Sequence, residues 1–452
     1  MKLSIIILAA GLGKRMCSDL PKVLHCLAGK PLLQHVIDAA ISLEPETIHV
    51  VYGYGGEQVR DTLSDLPVQW VKQVQQLGTG HAVAQAIPSI ADNNVVLVLY
   101  GDVPLINPTN LQKLCSLSNG LNVLTAKLDN PTGYGRIVRD AQGQVECIIE
   151  EKDADNKTKA IQEINTGILA TKAINLRTWL ANLDNNNSQG EYYLTDTIAM
   201  AVTDNVPIHT NIVHDVLEVT GVNNRLQLAN LERYYQSQQV NNLMLTGVTV
   251  QDPNRLDIRG IVKTGYDIII DINVILEGEV SLGNRVKIGA NTIIRNAKIA
   301  DDVEILSNCV IENVVIGTGC KIGPFARLRP ETELAEQVHI GNFVELKKSV
   351  VAKGSKINHL SYIGDSEIGS NVNIGAGTIT CNYDGANKHK TIIKDNVFVG
   401  SDTQLIAPVT VENGATIGAG STITKNVAED SLTLSRVQQQ SVMGWERPTK
   451  NS

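Results

Sequence analysis

Leu276-Glu277-Gly278-Glu279-Val280-Ser281-Leu282-Gly283-Asn284-Arg285-Val286-Lys287-Ile288-Gly289 decides the fold of the second half of this chain. An aliphatic side chain returns at every sixth position: Leu276, Leu282, Ile288, then Ile294. The same step recurs at Ile299, Ile305 and Ile311, at Ile316, Ile322 and Leu328, and at Leu334, Ile340 and Leu346. A last run is Val399, Leu405, Val411, Ile417 and Ile423. Glycine often follows, as in Ile288-Gly289, Ile316-Gly317, Ile374-Gly375 and Ile417-Gly418. A period of six matches neither the 3.6 residues of a helical turn nor the alternation of a strand. It is the hexapeptide repeat of a parallel β-helix, in which three hexads make one triangular coil of roughly 18 residues. Hexapeptide coils of this kind wind left-handed, against the usual crossover rule. Their flat outer faces have to be covered, which predicts a homotrimer.

Before about residue 220 the pattern is different. Apolar runs at Ile48–Gly53, Val68–Val71, Val95–Tyr100, Leu121–Lys127 and Asn165–Ala170 read as strands. Amphipathic stretches such as Leu32–Leu43 and Asn107–Leu117 lie between them. This alternation predicts a mainly parallel, Rossmann-like α/β sheet covered by helices, with ligands beyond the carboxyl ends of its strands. Asn223–Leu245 reads as one long helix with apolar residues at Leu226, Leu228, Leu231, Tyr234 and Tyr235. The expected organisation is a nucleotide-handling α/β domain over 1–222, a linker helix over 223–246, and a β-helix domain with a tail over 247–452.

Composition narrows the function. A net charge of −8 and 4% aromatic residues argue against a nucleic-acid surface. A hydrophobic content of 43% supplies globular cores, and no apolar run approaches the length of a membrane span. The seven cysteines are scattered without a Cys-x-x-Cys pair, which predicts reduced thiols serving as small core residues in a cytoplasmic protein. The apolar run after Lys2 is short and the basic residues follow it, which is the wrong order for a signal peptide.

The first strand, Leu3 to Leu8, runs into Ala9-Ala10-Gly11-Leu12-Gly13-Lys14-Arg15-Met16, with Pro21-Lys22 shortly after. Small residues let backbone N–H groups approach an anion, and Arg15 and Lys22 add charge. A dinucleotide fingerprint would need a third glycine where Met16 stands. A P-loop would need Ser or Thr where Arg15 stands. The remaining reading is a nucleoside triphosphate loop of another type. Asp102, at the tip of the strand ending in Tyr100-Gly101, is placed to hold Mg²⁺ against a triphosphate. Gln73, Gln76, Gly78 and Thr79 offer amides, a hydroxyl and close backbone for a pyrimidine edge. Gly135, Glu150, Asn165 and Asn223 are further polar or small positions on expected loops.

In the second half the repeat breaks twice. Phe325-Ala326-Arg327-Leu328-Arg329-Pro330 brings in two arginines, and Cys381-Asn382-Tyr383-Asp384-Gly385-Ala386-Asn387-Lys388-His389-Lys390 is a polar insertion. Insertions on solenoids often mark the binding face. His359 is a candidate general base for an attacking amine. Arg329 and Lys347 could bind a phosphate, with Tyr362, Asn373 and Lys388 nearby. A three-histidine zinc site is the competing idea, but His339, His359 and His389 are irregularly spaced against the coil and His389 lies in the insertion.

The segment Leu8-Ala9-Ala10-Gly11, Gly13, Arg15-Met16 and Pro21-Lys22 resembles the signature of sugar-phosphate nucleotidyltransferases. Further along, Gln76-Leu77-Gly78-Thr79-Gly80-His81-Ala82, Tyr100-Gly101-Asp102, Gly133-Tyr134-Gly135-Arg136, Glu163-Ile164-Asn165-Thr166-Gly167, Gly190-Glu191-Tyr192-Tyr193 and Gly221-Val222-Asn223-Asn224-Arg225 resemble one family. It is that of the bifunctional N-acetylglucosamine-1-phosphate uridylyltransferases and glucosamine-1-phosphate acetyltransferases. Phe325 to Pro330, Gly341-Asn342-Phe343-Val344-Glu345, Asn373 to Gly385 and Val399-Gly400-Ser401-Asp402-Thr403-Gln404 resemble its acetyltransferase half. The resemblance implies acetyl transfer from acetyl-CoA to glucosamine 1-phosphate, followed by uridylyl transfer from UTP, within UDP-N-acetylglucosamine biosynthesis for cell-wall precursors. It implies that Leu8, Ala9, Ala10, Gly11, Lys22, Gln73, Gln76, Gly78, Thr79, Tyr100 and Gly101 meet the nucleotide, with Asp102 and Asn223 on Mg²⁺. Gly135, Glu150 and Asn165 would hold the sugar phosphate, and Arg15 and Lys22 would act on the triphosphate. His359 would be the acetyl-transfer base; Arg329, Lys347, Tyr362, Asn373 and Lys388 would hold glucosamine 1-phosphate. Ala376, Asn382, Tyr383, Ser401, Ala419 and Arg436 would contact acetyl-CoA. The alternative is a nucleotidyltransferase whose β-helix is only a trimerisation scaffold.

Overall fold

The computed structural model describes residues 2–11, 13–53, 55–116 and 120–450. The spacer Leu12 and the expected helix end at Leu117 lie outside the described residues. The chain forms two compact units, Met1–Tyr235 and Gln236–Ser452. The boundary falls inside the helix Arg225–Leu245.

Among the described residues, the first unit is built on a sheet of nine strands. Its main path runs Ile208–Val213, Leu121–Lys127, Glu163–Lys172, Val95–Tyr100, Leu3–Ala9, Thr47–Tyr52 and Gln69–Lys72. Leu3–Ala9 is parallel to both Thr47–Tyr52 and Val95–Tyr100. It is the strand from which the chain leaves in both directions, the switch point at which such sheets open a crevice. Its side chains serve both faces: Ile5 and Ile7 join one core, Ile6 and Leu8 the other. That is why Ile5 to Ala9 reads as an unbroken apolar run rather than an alternating one.

The mainly parallel sheet is present, with one antiparallel strand in its main path. Glu163–Lys172 runs antiparallel to both neighbours, so the sheet is mixed; periodicity reports burial and not direction. Leu226 is 71% exposed, whereas Leu231 is 1% exposed. Leu228, Leu231 and Tyr235 are spaced by three and four residues and share one helix face, packing with Met16, Leu27 and Leu32. Leu226 is two residues off that stripe. The thiols also divide: Cys309 and Cys320 are buried, but Cys17 and Cys26 are exposed.

The second unit is a parallel β-helix of short strands, consistent with the left-handed hexapeptide type. Among the described residues one sheet has 11 strands and the other 13. Strands of the larger sheet turn a corner within themselves at Asn296, Asn313, Lys348 and Asp365, all with φ between 46° and 49°. Two sheets therefore supply three faces. Successive coils are 17 or 18 residues apart, as the hydrogen bonds Asn273–Asn291 and Asn284–Asp301 show. Every aliphatic named in the repeat is buried. Ile270, Ile288, Ile305, Ile322, Ile340, Ile357 and Ile374 stack in register up one face.

This packing predicts a sharp contrast. Ile311→Ala, at a fully buried position, should destabilise by about 2–5 kcal/mol. Leu226→Ala should stay within about 0.5 kcal/mol of the parent. Urea unfolding followed by circular dichroism checks both.

Candidate active sites

In the first unit the small-residue loop leaves the end of Leu3–Ala9 and is followed by two tight turns, Lys14–Met16 and Lys22–Leu24. Gly13 sits at φ 60°, and a Cβ there would collide with the Cβ of Lys22. Only glycine lets the two turns close on one another. A cavity of about 410 Å³ opens beside them. Its wall holds Leu8, Ala9, Ala10, Gly11, Lys22, Gln73, Gln76, Gly78, Thr79, Tyr100 and Asp102, all expected from the sequence. It also holds Val23, Ala82 and Glu191, which were not.

Hydrogen bonds explain how distant segments meet here. The Gln76 amide donates to the Ala10 carbonyl. The buried Gln73 amide donates to the Gly78 carbonyl at 3.2 Å and meets His81 Nδ1 at 2.9 Å. Tyr192 N–H donates to the Leu77 carbonyl and Gly80 N–H to the Tyr192 carbonyl, both at 2.8 Å. Leu194 N–H donates to Thr79 Oγ1 at 3.1 Å. The strap that carries Glu191 is thereby laced onto the loop that carries Gly78. The Gly190-Glu191-Tyr192-Tyr193 motif was the available signal for Glu191.

Lys22 Nζ forms an ion pair with Asp102 and also donates to Asn223 Oδ1 at 3.3 Å. Both ion-pair side chains are largely buried, 11% and 19% exposed. Val222 N–H donates to the Asp102 carbonyl at 2.9 Å, which brings Asn223 alongside. Two hard oxygen donors, Asp102 after the strand Val95–Tyr100 and Asn223 just before the helix Arg225–Leu245, thus converge on one cation. This donor set, a carboxylate and an amide oxygen, suits Mg²⁺.

Gly135, Glu150 and Asn165 also assemble, although outside the cavity wall. Asn165 N–H donates to the Gly135 carbonyl at 2.8 Å, and Thr195 Oγ1 donates to Glu150 Oε1 at 3.2 Å. A Cβ on Gly135 would lie 3.4 Å from the Glu150 carboxyl. Burial raises the Glu150 carboxyl above its ordinary range, with Asp196 and Asp153 adding to the effect. Tyr100 links this group to the cavity. Burial, then the charges of Glu150 and Asp102, push its hydroxyl far up, so it remains a donor. Gly101 packs against Leu33 and Ala9 behind the wall. Arg15 is exposed on the Lys14–Met16 turn and is not part of the wall.

In the second unit, stacking turns single residues into columns. One column on the larger sheet alternates in charge: Arg259, Glu277, Arg295 and Glu312 are in register on successive coils. Arg295 reaches both acidic neighbours, at 3.0 and 2.8 Å. The alternation then fails. Arg329 follows, held by Glu345 at 2.8 Å, and Lys347 follows it instead of an acid. Lys388 lies beside Lys347, and its charge, with that of Arg329, lowers the Lys347 ammonium from its ordinary value. Three cations therefore gather here: Glu345 pairs with Arg329, and Asp365 is the acid near Lys347.

The insertion delivers Lys388. The coil step rises to 25 residues between Ser370 and Asp395. Asp384 accepts from Ala386 N–H at 2.8 Å, from Asn387 N–H at 2.7 Å, and from His389 Nε2 at 2.7 Å. Those partners, the Asn387 N–H foremost, hold its carboxyl far below the usual range. Tyr383, exposed, pairs across the hairpin with Lys388 and donates to the Gly385 carbonyl at 2.6 Å. Asn382, buried, donates to Asp365. Tyr362 lies in register with Glu345. Asn373 is instead on the other sheet, in register with Lys356 and Phe398.

A second column runs along one corner. Asn342, His359, Ala376, Ser401 and Ala419 each precede a residue with positive φ: Phe343, Leu360, Gly377, Asp402 and Gly420. Each such N–H reaches back one coil, Leu360 to Asn342, Gly377 to His359, Asp402 to Ala376 and Gly420 to Ser401, at 2.7–3.3 Å. Arg436 closes the column by donating to the Ala419 carbonyl at 2.9 Å. His359 is exposed, and after it the corner carries only small side chains.

Comparison with known proteins agrees with this division of the chain. Residues 5–150 match the family model of the MobA-like NTP transferase domain. Residues 258–341 match the GMPPB C-terminal domain, and residues 390–425 match the bacterial transferase hexapeptide (six repeats). Among solved structures, a nucleotidyl transferase from Methanothermobacter thermautotroptrophicus is 18% identical, with 52% of this chain and 97% of that chain covered and a TM-score of 0.38. Among the described residues no helix is long and apolar enough to cross a membrane. The chain is a transferase with an N-terminal nucleotidyltransferase domain and C-terminal hexapeptide repeats.

Proposed function

We propose that this chain is a two-step enzyme: acetyl transfer from acetyl-CoA to glucosamine 1-phosphate, then uridylyl transfer from UTP to N-acetylglucosamine 1-phosphate. The observation that carries the reading is the broken charge column. Arg329, although paired with Glu345, is joined by Lys347 and Lys388, two cations side by side, on the unit that also presents His359, remote in sequence from the nucleotide cavity. A scaffold would gain nothing from like charges on adjacent coils, whereas a phosphate monoester would be bound by them. UTP and acetyl-CoA as co-substrates fit a cytoplasmic enzyme, and the flat coil faces fit a homotrimer.

In the first reaction the amine attacks the thioester carbonyl, His359 takes the proton, and coenzyme A leaves as its thiolate. The small residues Ala376, Ser401 and Ala419 leave room for an extended cofactor arm along the corner, with Arg436 at its far end. Asn382 and Tyr383, on the inserted hairpin, would also contact acetyl-CoA.

In the second reaction a phosphate oxygen attacks the α-phosphorus of UTP and pyrophosphate leaves. No protein nucleophile is required; the protein aligns two anions and neutralises them. Gln73, Gln76, Gly78 and Thr79 hold the base, and Gly135, Glu150 and Asn165 hold the sugar. Lys22 stands at the triphosphate, and Arg15 closes over it from its exposed turn. Asp102 and Asn223 would hold Mg²⁺, which supplies charge neutralisation at the phosphates when bound. Lys22, now shared between those two oxygens, is freed to bind phosphate in that state.

His359→Ala should reduce acetyl transfer by roughly 10²–10⁴-fold and leave uridylyl transfer near normal. Asp102→Ala should do the reverse; an equal loss of both activities in either variant contradicts two separate sites. Chelation by EDTA should stop uridylyl transfer while acetyl transfer continues. Lys347→Ala should raise the KM for glucosamine 1-phosphate by roughly tenfold or more, the loss expected for one charged hydrogen bond, with the KM for acetyl-CoA unchanged. Product assays with the two half-reactions run separately read all of these.

A further inference from the structure

We propose that Asn342 is the positioning residue for His359, holding the imidazole with its proton on Nδ1 and its lone pair on Nε2. The inference rests on the base role proposed above for His359.

Asn342 and His359 are register partners on adjacent coils. His359 Nδ1 lies 2.9 Å from Asn342 Oδ1. An amide oxygen only accepts, so with the amide oriented this way Nδ1 must donate, and Nε2 is left as the acceptor. The ring would otherwise turn freely, because His359 is exposed. Two rungs of backbone stiffen the pair from below and above. Leu360 N–H donates to the Asn342 carbonyl at 3.1 Å, and Gly377 N–H donates to the His359 carbonyl at 3.3 Å. Both residues precede bulky side chains at positive φ, Phe343 at 55° and Leu360 at 48°. Phe343 is itself stacked on Phe325, with ring centroids 5.2 Å apart. Strained bulky corners persist only where the surroundings over-determine them. Here they fix the column on which both polar side chains stand.

The choice of an amide has a chemical consequence. A carboxylate at the same place would orient the ring and also favour the imidazolium. An amide orients it without adding charge, which suits a group that must begin neutral to accept a proton from an amine.

The test uses the full chain, acetyl-CoA and glucosamine 1-phosphate, with ¹⁵N-histidine spectra alongside the kinetics. Asn342→Leu should lower kcat for acetyl transfer by about 10- to 100-fold, part of what a positioned base contributes, with both KM values within about twofold. The His359 ring should then lose its single Nδ1–H signature and show mixed tautomers. Asn342→Asp, which keeps an acceptor at Oδ1, should recover kcat to within a few-fold and restore the Nδ1–H signature. Should Asn342→Leu melt early, Asn342→Ser, which shortens the side chain without adding bulk, carries the same comparison. Full activity and an unchanged tautomer in the Leu and Ser variants, with His359→Ala inactive, overturns the positioning role alone. Normal acetyl transfer in His359→Ala overturns the base reading itself.

Discussion

The inward aliphatic at every sixth position is the constraint on which the second unit depends. Each one is buried on the same residue of the next coil, and a slip of one position would turn the whole set outward. Burial of a Leu, Ile or Val side chain contributes about 1.5–3 kcal/mol, and the repeat adds that contribution several times per coil. Register is therefore held far more strongly than any surface group could demand. The outward positions inherit this order without contributing to it. A residue placed on one coil automatically acquires a column of neighbours one coil away.

Columns turn local sequence into spatial chemistry. Arg295 meets Glu277 and Glu312 because the coil length makes them adjacent. His359 meets Asn342 for the same reason. The first unit solves the same problem differently. There, strands side by side bring their ends together, and Leu3–Ala9 and Val95–Tyr100 deliver the small-residue loop and Asp102 to one edge. Lys22 then ties Asp102 to Asn223 across a sequence separation of 201 residues from Lys22 to Asn223. One architecture places chemistry by repetition, the other by convergence.

That difference governs how much could be read without coordinates. The β-helix was legible almost residue by residue, since one period specifies every inward position. The strands Val95–Tyr100 and Leu121–Lys127 and the long helix were legible from their apolar runs. Most of the cavity wall was legible too, because Ala10, Gly11, Gly78 and Asp102 sit in short motifs with a chemical reason. Val23, Ala82 and Glu191 were not singled out, although each adjoins or lies in a quoted motif: Val23 and Ala82 are apolar and carry no chemical signal of their own, and Glu191 reaches the wall through lacing between loops. The antiparallel direction of Glu163–Lys172 left no trace, since a buried strand has the same composition either way. Asn342 is the instructive miss. Its partner lies 17 residues on, so the pair is invisible in a local window and obvious once the coil length is known.

Against a periodic background, function shows itself as departure from the period. A solenoid without a binding task has reason to continue the alternation that Arg259, Glu277, Arg295 and Glu312 establish, because each exposed pair is mildly favourable and each like-charged pair mildly unfavourable. Arg329 followed by Lys347 abandons it, and the enlarged coil then adds a third cation in Lys388 when any neutral loop would close the gap. The same logic applies to the corner column. Large polar side chains occupy it at Asn342 and His359, and then Ala376, Ser401 and Ala419 leave it open. Neither departure improves the packing of the coils, whose interior keeps most of its aliphatics here, with Thr380 in one of their positions and buried Ser349, Ser355, Ser361 and Ser366 beside them. Neither the charge sequence nor the open corner follows from coil packing, and both are what the proposed binding of a phosphate and an extended cofactor would require.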